Sequence, residues 1–223
     1  MSKPLYKGLI FDMGDVLYDA SGWRLWLFGV LSQLRLFSTF QQMEQIWESY
    51  LINAHKGLLS WDEALKRFLH SLELPPNKEK DIISATTAYR STQKPLILFD
   101  GVQETLRQLI NHGRKLAVLS DTESPSSVVY QRLAGAGIGD HFEGIICSFD
   151  TGTCKPDPTA YFTACKSLDI PAKNCAFIGH DQEELDGASN AGITTIAFNH
   201  APDVKADYQV GHFTEILDVV LWT

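Results

Sequence analysis

Chemically able residues stand at the ends of several short apolar runs. Asp12 follows Gly8-Leu9-Ile10-Phe11, and Ser120 closes KLAVLS (115–120). Lys155 lies in the GTCKPDP stretch after GIICSF (144–149), and His180 closes CAFIGH (175–180) with Asp181 one step on. Runs that are brief, partly β-branched and bounded by Gly or polar residues predict buried strands. Ligands of open α/β sheets bind beyond the carboxyl ends of the strands, so these segments deliver a carboxylate, a hydroxyl, an ammonium and an imidazole to one edge. Any one alone is an ordinary helix cap or loop residue; together they make a site. Its acidic character still admits a small anionic substrate, because one lysine and a metal ion can reverse the field locally.

The elements that must hold these residues follow from pattern. TTIAF (194–198) predicts a further strand. Between the strands lie helical patterns. VQETLRQLINH (102–112) puts Val102, Leu106, Leu109 and Ile110 on one face, with Gly113 suited to the C′ position. DPTAYFTACKSL offers Asp157 as N-cap and Pro158 as first helical residue. Strand alternating with helix predicts a parallel sheet wrapped on both sides.

Residues 19–94 break that rhythm. Trp, Leu and Phe recur there at helical spacings, Ser60-Trp61-Asp62-Glu63 reads as a capping box, and Leu74-Pro75-Pro76 ends one helix before Asn77 begins the next. The expected organisation is an α/β, Rossmann-like parallel-sheet core at 1–18 and 95–223, with a small all-helical unit at 19–94. A substrate cleft would lie between them.

Bulk properties narrow the partners. At 223 residues, 44% of them hydrophobic, the chain can bury a real core. A net charge of -8 without a basic cluster argues against nucleic acid. Cys147, Cys154, Cys165 and Cys175 form no CxxC pair and read as buried free thiols of a reducing compartment. MSKPLYKG is too short and polar for a signal peptide, and the apolar stretch from Trp23 to Phe37 is interrupted by Arg24 and Arg35, short of the ~20 residues of a membrane span. The expectation is a soluble cytoplasmic protein with no membrane partner.

FDMGDVLYD, VLSD, TGTCKPDPTAYFTACKSLDI and AFIGHDQEELDGASNAGITTI, in that order, resemble the four motifs of the haloacid dehalogenase superfamily over nearly the whole chain. The helical stretch after the first motif is similar to that family's cap. The resemblance implies that Asp12 is a nucleophile attacking phosphorus to give an aspartyl-phosphate, which water then hydrolyses. It implies that Ser120 donates a hydrogen bond to a phosphate oxygen, and that Lys155 offsets the repulsion between Asp12 and phosphate. It further implies Mg²⁺ held by Asp12, the backbone oxygen of Gly14, and acidic residues of the fourth motif.

Two positions depart from the pattern. Gly14 stands where the family's phosphatases usually carry Asp as general acid and base, a loss worth ~10²–10⁴-fold in rate. Asp15 is one residue late and, by alternation along an extended segment, faces away. A Gly at this place resembles the D-x-G-x-V/T start of some sugar-phosphate phosphatases, whose substrate could have a better leaving group or supply the proton itself or through water. His180 stands where a Mg²⁺ ligand is usual, and imidazole prefers softer ions. Three readings follow: Asp181 binds Mg²⁺ with Glu184 holding a coordinated water; His180 recruits Mn²⁺ or another transition metal; or no metal binds and His180 hydrogen-bonds within the cleft. Trp23 and Arg24, close behind the first motif, are candidates to overhang the cleft, with Arg24 pairing an anionic substrate group. Asp121, beside Ser120, is a candidate substrate-binding residue and would repel a carboxylate bound next to it.

The expected function is a metal-dependent phosphatase of a small phosphorylated metabolite. One alternative is a catalytically impaired binding or regulatory module. The other is a metal-independent 2-haloacid dehalogenase, disfavoured by Asp121 where that branch typically offers Asn. The remaining histidines, His55 among them, read as surface or capping residues.

Overall fold

The computed structural model describes residues 6–91 and 96–221. Six strands form one all-parallel sheet: β1 (Gly8–Phe11), β2 (Lys115–Ser120), β3 (Gly144–Cys147), β4 (Cys175–Gly179), β5 (Thr194–Phe198) and β6 (Tyr208–Val210), in the order β3-β2-β1-β4-β5-β6. β1 is central, and its two neighbours belong to opposite directions of winding, which makes the end of β1 the switch point of the sheet.

Among the described residues ten α-helices accompany the sheet. Four follow β1 directly: α1 (Gly22–Gln33), α2 (Phe40–His55), α3 (Trp61–Ser71) and α4 (Pro76–Ser91). Six flank the sheet: α5 (Val102–Asn111), α6 (Ser126–Gly135), α7 (Ser148–Thr151), α8 (Pro158–Leu168), α9 (Gln182–Asn190) and α10 (Ile216–Leu221). Side chains alternate along the strands. Leu9, Phe11 and Val118 therefore pack with α5, α6 and α10 on one face, while Ile10, Ala117 and Phe177 pack with α8 and α9 on the other.

The four early helices bury a separate apolar cluster built on Leu27, Leu31, Trp47, Trp61, Leu65 and Phe68. Ser60 caps α3, its hydroxyl accepting from the Glu63 amide at 3.2 Å; the Glu63 carboxylate pairs forward with Arg67 at 3.0 Å. Pro76, rather than Asn77, opens α4. The expected boundary at 94/95 falls outside the described residues.

Some local expectations need correction. The strand expected at 144–149 stops at Cys147, because the Ser148 hydroxyl accepts from the Thr122 amide at 2.9 Å and Thr151 Oγ1 donates back to the Cys147 carbonyl at 3.3 Å, turning the chain into α7. β4 ends at Gly179, so His180 sits just past the ladder. On α5 the buried face includes Thr105, and Ile110 is 39% exposed. β6, three residues long with exposed Gln209 at its centre, offers too short a pattern to read. The four cysteines are free and buried, as composition led one to expect.

Candidate active site

The switch point gathers the expected residues. Asp12 follows β1 and still belongs to the ladder, its amide donating to the Ile178 carbonyl at 2.9 Å. Backbone register thus fixes where its carboxylate emerges, and the residue is only 6% exposed. Ser120 ends the neighbouring β2, equally buried. Lys155, from the turn before α8, threads in beneath them. Its Nζ donates to Asp12 Oδ1 at 2.5 Å and to Glu184 Oε2 at 3.0 Å, and its backbone amide donates to the Asp121 carboxylate at 3.1 Å.

Local sequence explains why the lysine arrives there. Asp157 caps α8, accepting from the Thr159 amide at 2.8 Å, with Pro158 in the first turn. Gly187 lets α9 lie against that turn. A Cβ at Gly187 would come within 2.6 Å of Pro156 Cβ and 2.8 Å of the Tyr161 hydroxyl. Tyr161 in turn donates to the Glu184 carbonyl at 2.6 Å, tying α8 to the first turn of α9.

Burying several charges together perturbs them all. Burial works against the charge on Lys155, but Asp12, Glu184 and Asp121 outweigh it and raise its pKa well above the ordinary lysine value. Burial pushes the Asp121 carboxyl up to about 6, against the pull of Lys155 and with repulsion from Asp12. Burial likewise pushes Glu184 up to about 8 despite Lys155.

The fourth-motif residues divide. The His180 Nε2 lies 3.7 Å from Asp12 Oδ2. Asp181 is the exposed N-cap of α9, its Oδ1 accepting from the Glu183 amide at 2.9 Å and more weakly from Glu184. A hard cation such as Mg²⁺ requires a near-octahedral set of oxygen donors. Here Lys155 spans Asp12 and Glu184, Asp181 is engaged by helix amides, and an imidazole faces the remaining Asp12 oxygen. Among the described residues no group of three or more His, Cys, Asp or Glu is arranged to hold a metal ion. The donor set does not fit Mg²⁺.

The helices before β2 reach the same edge. Asp15 adopts a left-handed conformation (φ 57°) that turns it toward α1, where it accepts from the Ala20 amide at 3.0 Å and from Arg24 Nη2 at 2.8 Å. Arg24 also pairs through Nη1 with Glu44 at 2.8 Å. Instead of an open position for a substrate anion, this arginine has two carboxylates of its own chain. Trp23 is half-buried, edge-on to Trp47 and Trp61 with centroids at 5.8 and 5.5 Å.

Two groups escaped the sequence reading. Arg90 of α4 lies 3.7 Å over the Trp61 ring and donates to Glu123 Oε1 at 2.6 Å, joining α4 to the loop after β2. His55, read as a surface or capping residue, is instead partly buried, and burial holds its pKa below the ordinary histidine value. Its only sequence signal was its place at the end of a helix whose next residue but one, Gly57 (φ 68°), approaches the Phe149 carbonyl closely.

A family model for haloacid dehalogenase-like hydrolases matches residues 6–192. The chain belongs to that family. As a haloacid dehalogenase-like hydrolase it is 33% identical over 134 residues to the phosphoglycolate phosphatase of Pectobacterium atrosepticum, a match covering 55% of each protein. It thus spans about half the length of that curated relative. Two solved structures of such hydrolases share the fold. One, from Bacillus subtilis and bound to magnesium, has a TM-score of 0.72 at 18% identity, covering 96% of this chain and 98% of that one. The other, a 2-haloacid dehalogenase from Pseudomonas syringae pv. Tomato, has a TM-score of 0.65 at 18% identity, covering 97% and 99%. Among the described residues no helix is long and apolar enough to cross a membrane.

Proposed function

We propose that this haloacid dehalogenase-like hydrolase cleaves the phosphate ester of a small metabolite through an aspartyl-phosphate on Asp12. The observation that carries the reading is the buried Lys155–Asp12 pair at the switch point, with Ser120 on the adjoining strand. A carboxylate oxygen of Asp12 attacks phosphorus, the ester oxygen leaves with the bonding pair, and water hydrolyses the acyl phosphate. Lys155 offsets the charge that gathers on Asp12 and the phosphoryl oxygens, in a site dry enough for that charge to count. Ser120 supplies a hydrogen-bond donor to a phosphoryl oxygen. Helices α1 to α4 form the cap that roofs the cleft, bringing His55 and Arg90 toward it.

The phosphoglycolate phosphatase relative supports a small phosphate ester as substrate. Phosphatases of this family generally use Mg²⁺, and the donors around Asp12 do not match that ion. Gly14 offers no side chain to protonate the leaving group, which favours substrates whose leaving group is good or carries its own proton.

The test is hydrolysis of a panel of sugar phosphates, 2-phosphoglycolate, an activated aryl phosphate and 2-chloropropionate, with Mg²⁺, Mn²⁺ or EDTA, beside D12N. Turnover of a phosphate ester that D12N abolishes supports the reading. Turnover of the chloroacid alone moves the assignment to a dehalogenase, and phosphate binding without turnover of any substrate moves it to a non-catalytic module.

A further inference from the structure

We infer that Asp12 is organised by two side chains of this chain, Lys155 and His180, in the place of a divalent cation, and that the imidazole at position 180 is what keeps Mg²⁺ out. The inference rests on the reading of Asp12 as nucleophile. It is drawn from how each donor is occupied. Asp12 Oδ1 is held by the Lys155 ammonium at 2.5 Å, and the same ammonium takes Glu184 Oε2 at 3.0 Å, with the lysine side chain 1% exposed. One cation therefore serves both carboxylates. Asp12 Oδ2, the oxygen left over, faces His180 Nε2 at 3.7 Å.

Asp181 commits Oδ1 to the α9 cap, where it accepts from the Glu183 and Glu184 amides. Mg²⁺ dehydrates reluctantly and accepts imidazole poorly, so a nitrogen in this place costs it an oxygen ligand it needs. A small oxygen donor at 180 would remove that obstacle while leaving the Lys155 bridge in place.

The experiment measures metal binding first. EDTA-treated protein is titrated with Mg²⁺ by thermal shift and with Mn²⁺ and Zn²⁺ by calorimetry, for wild type, H180D and H180N. The expected result is no shift and no heat for wild type, and a gain in Mg²⁺ affinity of at least about tenfold for H180D, the size of effect that changes at a metal shell produce. Tight Mg²⁺, Mn²⁺ or Zn²⁺ binding by wild type that D12N removes overturns the inference, a soft ion held between Oδ2 and Nε2 included. H180N, which adds no carboxylate to the cluster, guards against loss of folding in H180D, and the wild-type titration decides even if both variants misfold. Activity separates the two readings. Turnover surviving D12N defeats the nucleophile; turnover that needs Asp12 but vanishes in EDTA defeats only the present inference.

Discussion

Arg90 and Glu123, 33 positions apart, meet at 2.6 Å with the guanidinium stacked 3.7 Å over Trp61. Glu123 lies two residues beyond Asp121, so this pair fastens α4 to the loop that carries the second-motif residues. Burial opposes the charge on Glu123, but Arg90 outweighs it and holds the carboxyl below its usual range.

The pair should therefore be asymmetric to mutation. R90A leaves a half-buried carboxylate without its partner and loses the ring contact, at a cost of about 2 kcal/mol. E123Q keeps an acceptor and removes the charge, costing about 1 kcal/mol. The double variant should be less destabilised than the sum of the two, as urea unfolding would measure. Strict additivity would mean that the contact contributes nothing to holding the helices on the core.

Lys155 and Asp12 should behave oppositely. K155M strands Asp12, Glu184 and Asp121 together and is expected to destabilise by about 3–5 kcal/mol. D12N removes a repulsive charge from that group and should change stability by less than about 1 kcal/mol, even as it abolishes turnover. Thermal melts of the two variants check this; equal destabilisation would show that Asp12 is held for structure rather than chemistry.

Stability of metal-free protein should fall as pH rises from about 6.5 to 8. In this window the folded protein keeps the Glu184 proton, with a pKa of about 8, which the unfolded chain has already released. Asp121, at about 6, has largely finished titrating. Glu123, lowered in the folded state, loses its stabilising contribution only below this window, and that of Lys155 is lost only above it. His55, lowered from the ordinary histidine value, opposes the slope at the lower edge of the window. E184Q should flatten the slope in urea midpoints measured in EDTA. A slope identical in wild type and E184Q would assign it to another group.

The missing acid can be tested by restoring it. A Cβ at Gly14 would sit 3.2 Å from Ala20 Cβ, so G14D is best made with A20G. Turnover of an alkyl phosphate should rise by up to about 10²-fold, while an activated aryl phosphate, which needs no protonation, should change by less than about threefold. Equal effects on both substrates would mean that leaving-group protonation does not limit this enzyme.

Much of the site was legible because its signals are local. Asp12 and Ser120 were placed at strand ends by apolar runs, and the Asp157–Pro158 start of α8 by capping chemistry, all within a few residues of chain. Where the local pattern gave out, so did the reading. Ser148 left its strand because of a hydroxyl contact to Thr122, 26 residues away.

What the sequence determined by itself is the alternation of strand and helix, the parallel core and the residues its edge would carry, since period, capping and turn chemistry act between near neighbours. Only the tertiary structure decided who meets whom. Lys155 bridges Asp12 to Glu184, Arg24 pairs with Asp15 and Glu44, and His180 Nε2 stands 3.7 Å from the second oxygen of Asp12. Those outcomes depend on strand register and on how α1 to α4 settle against the sheet. The energies there come from burial and charge between distant segments, which no local spacing encodes.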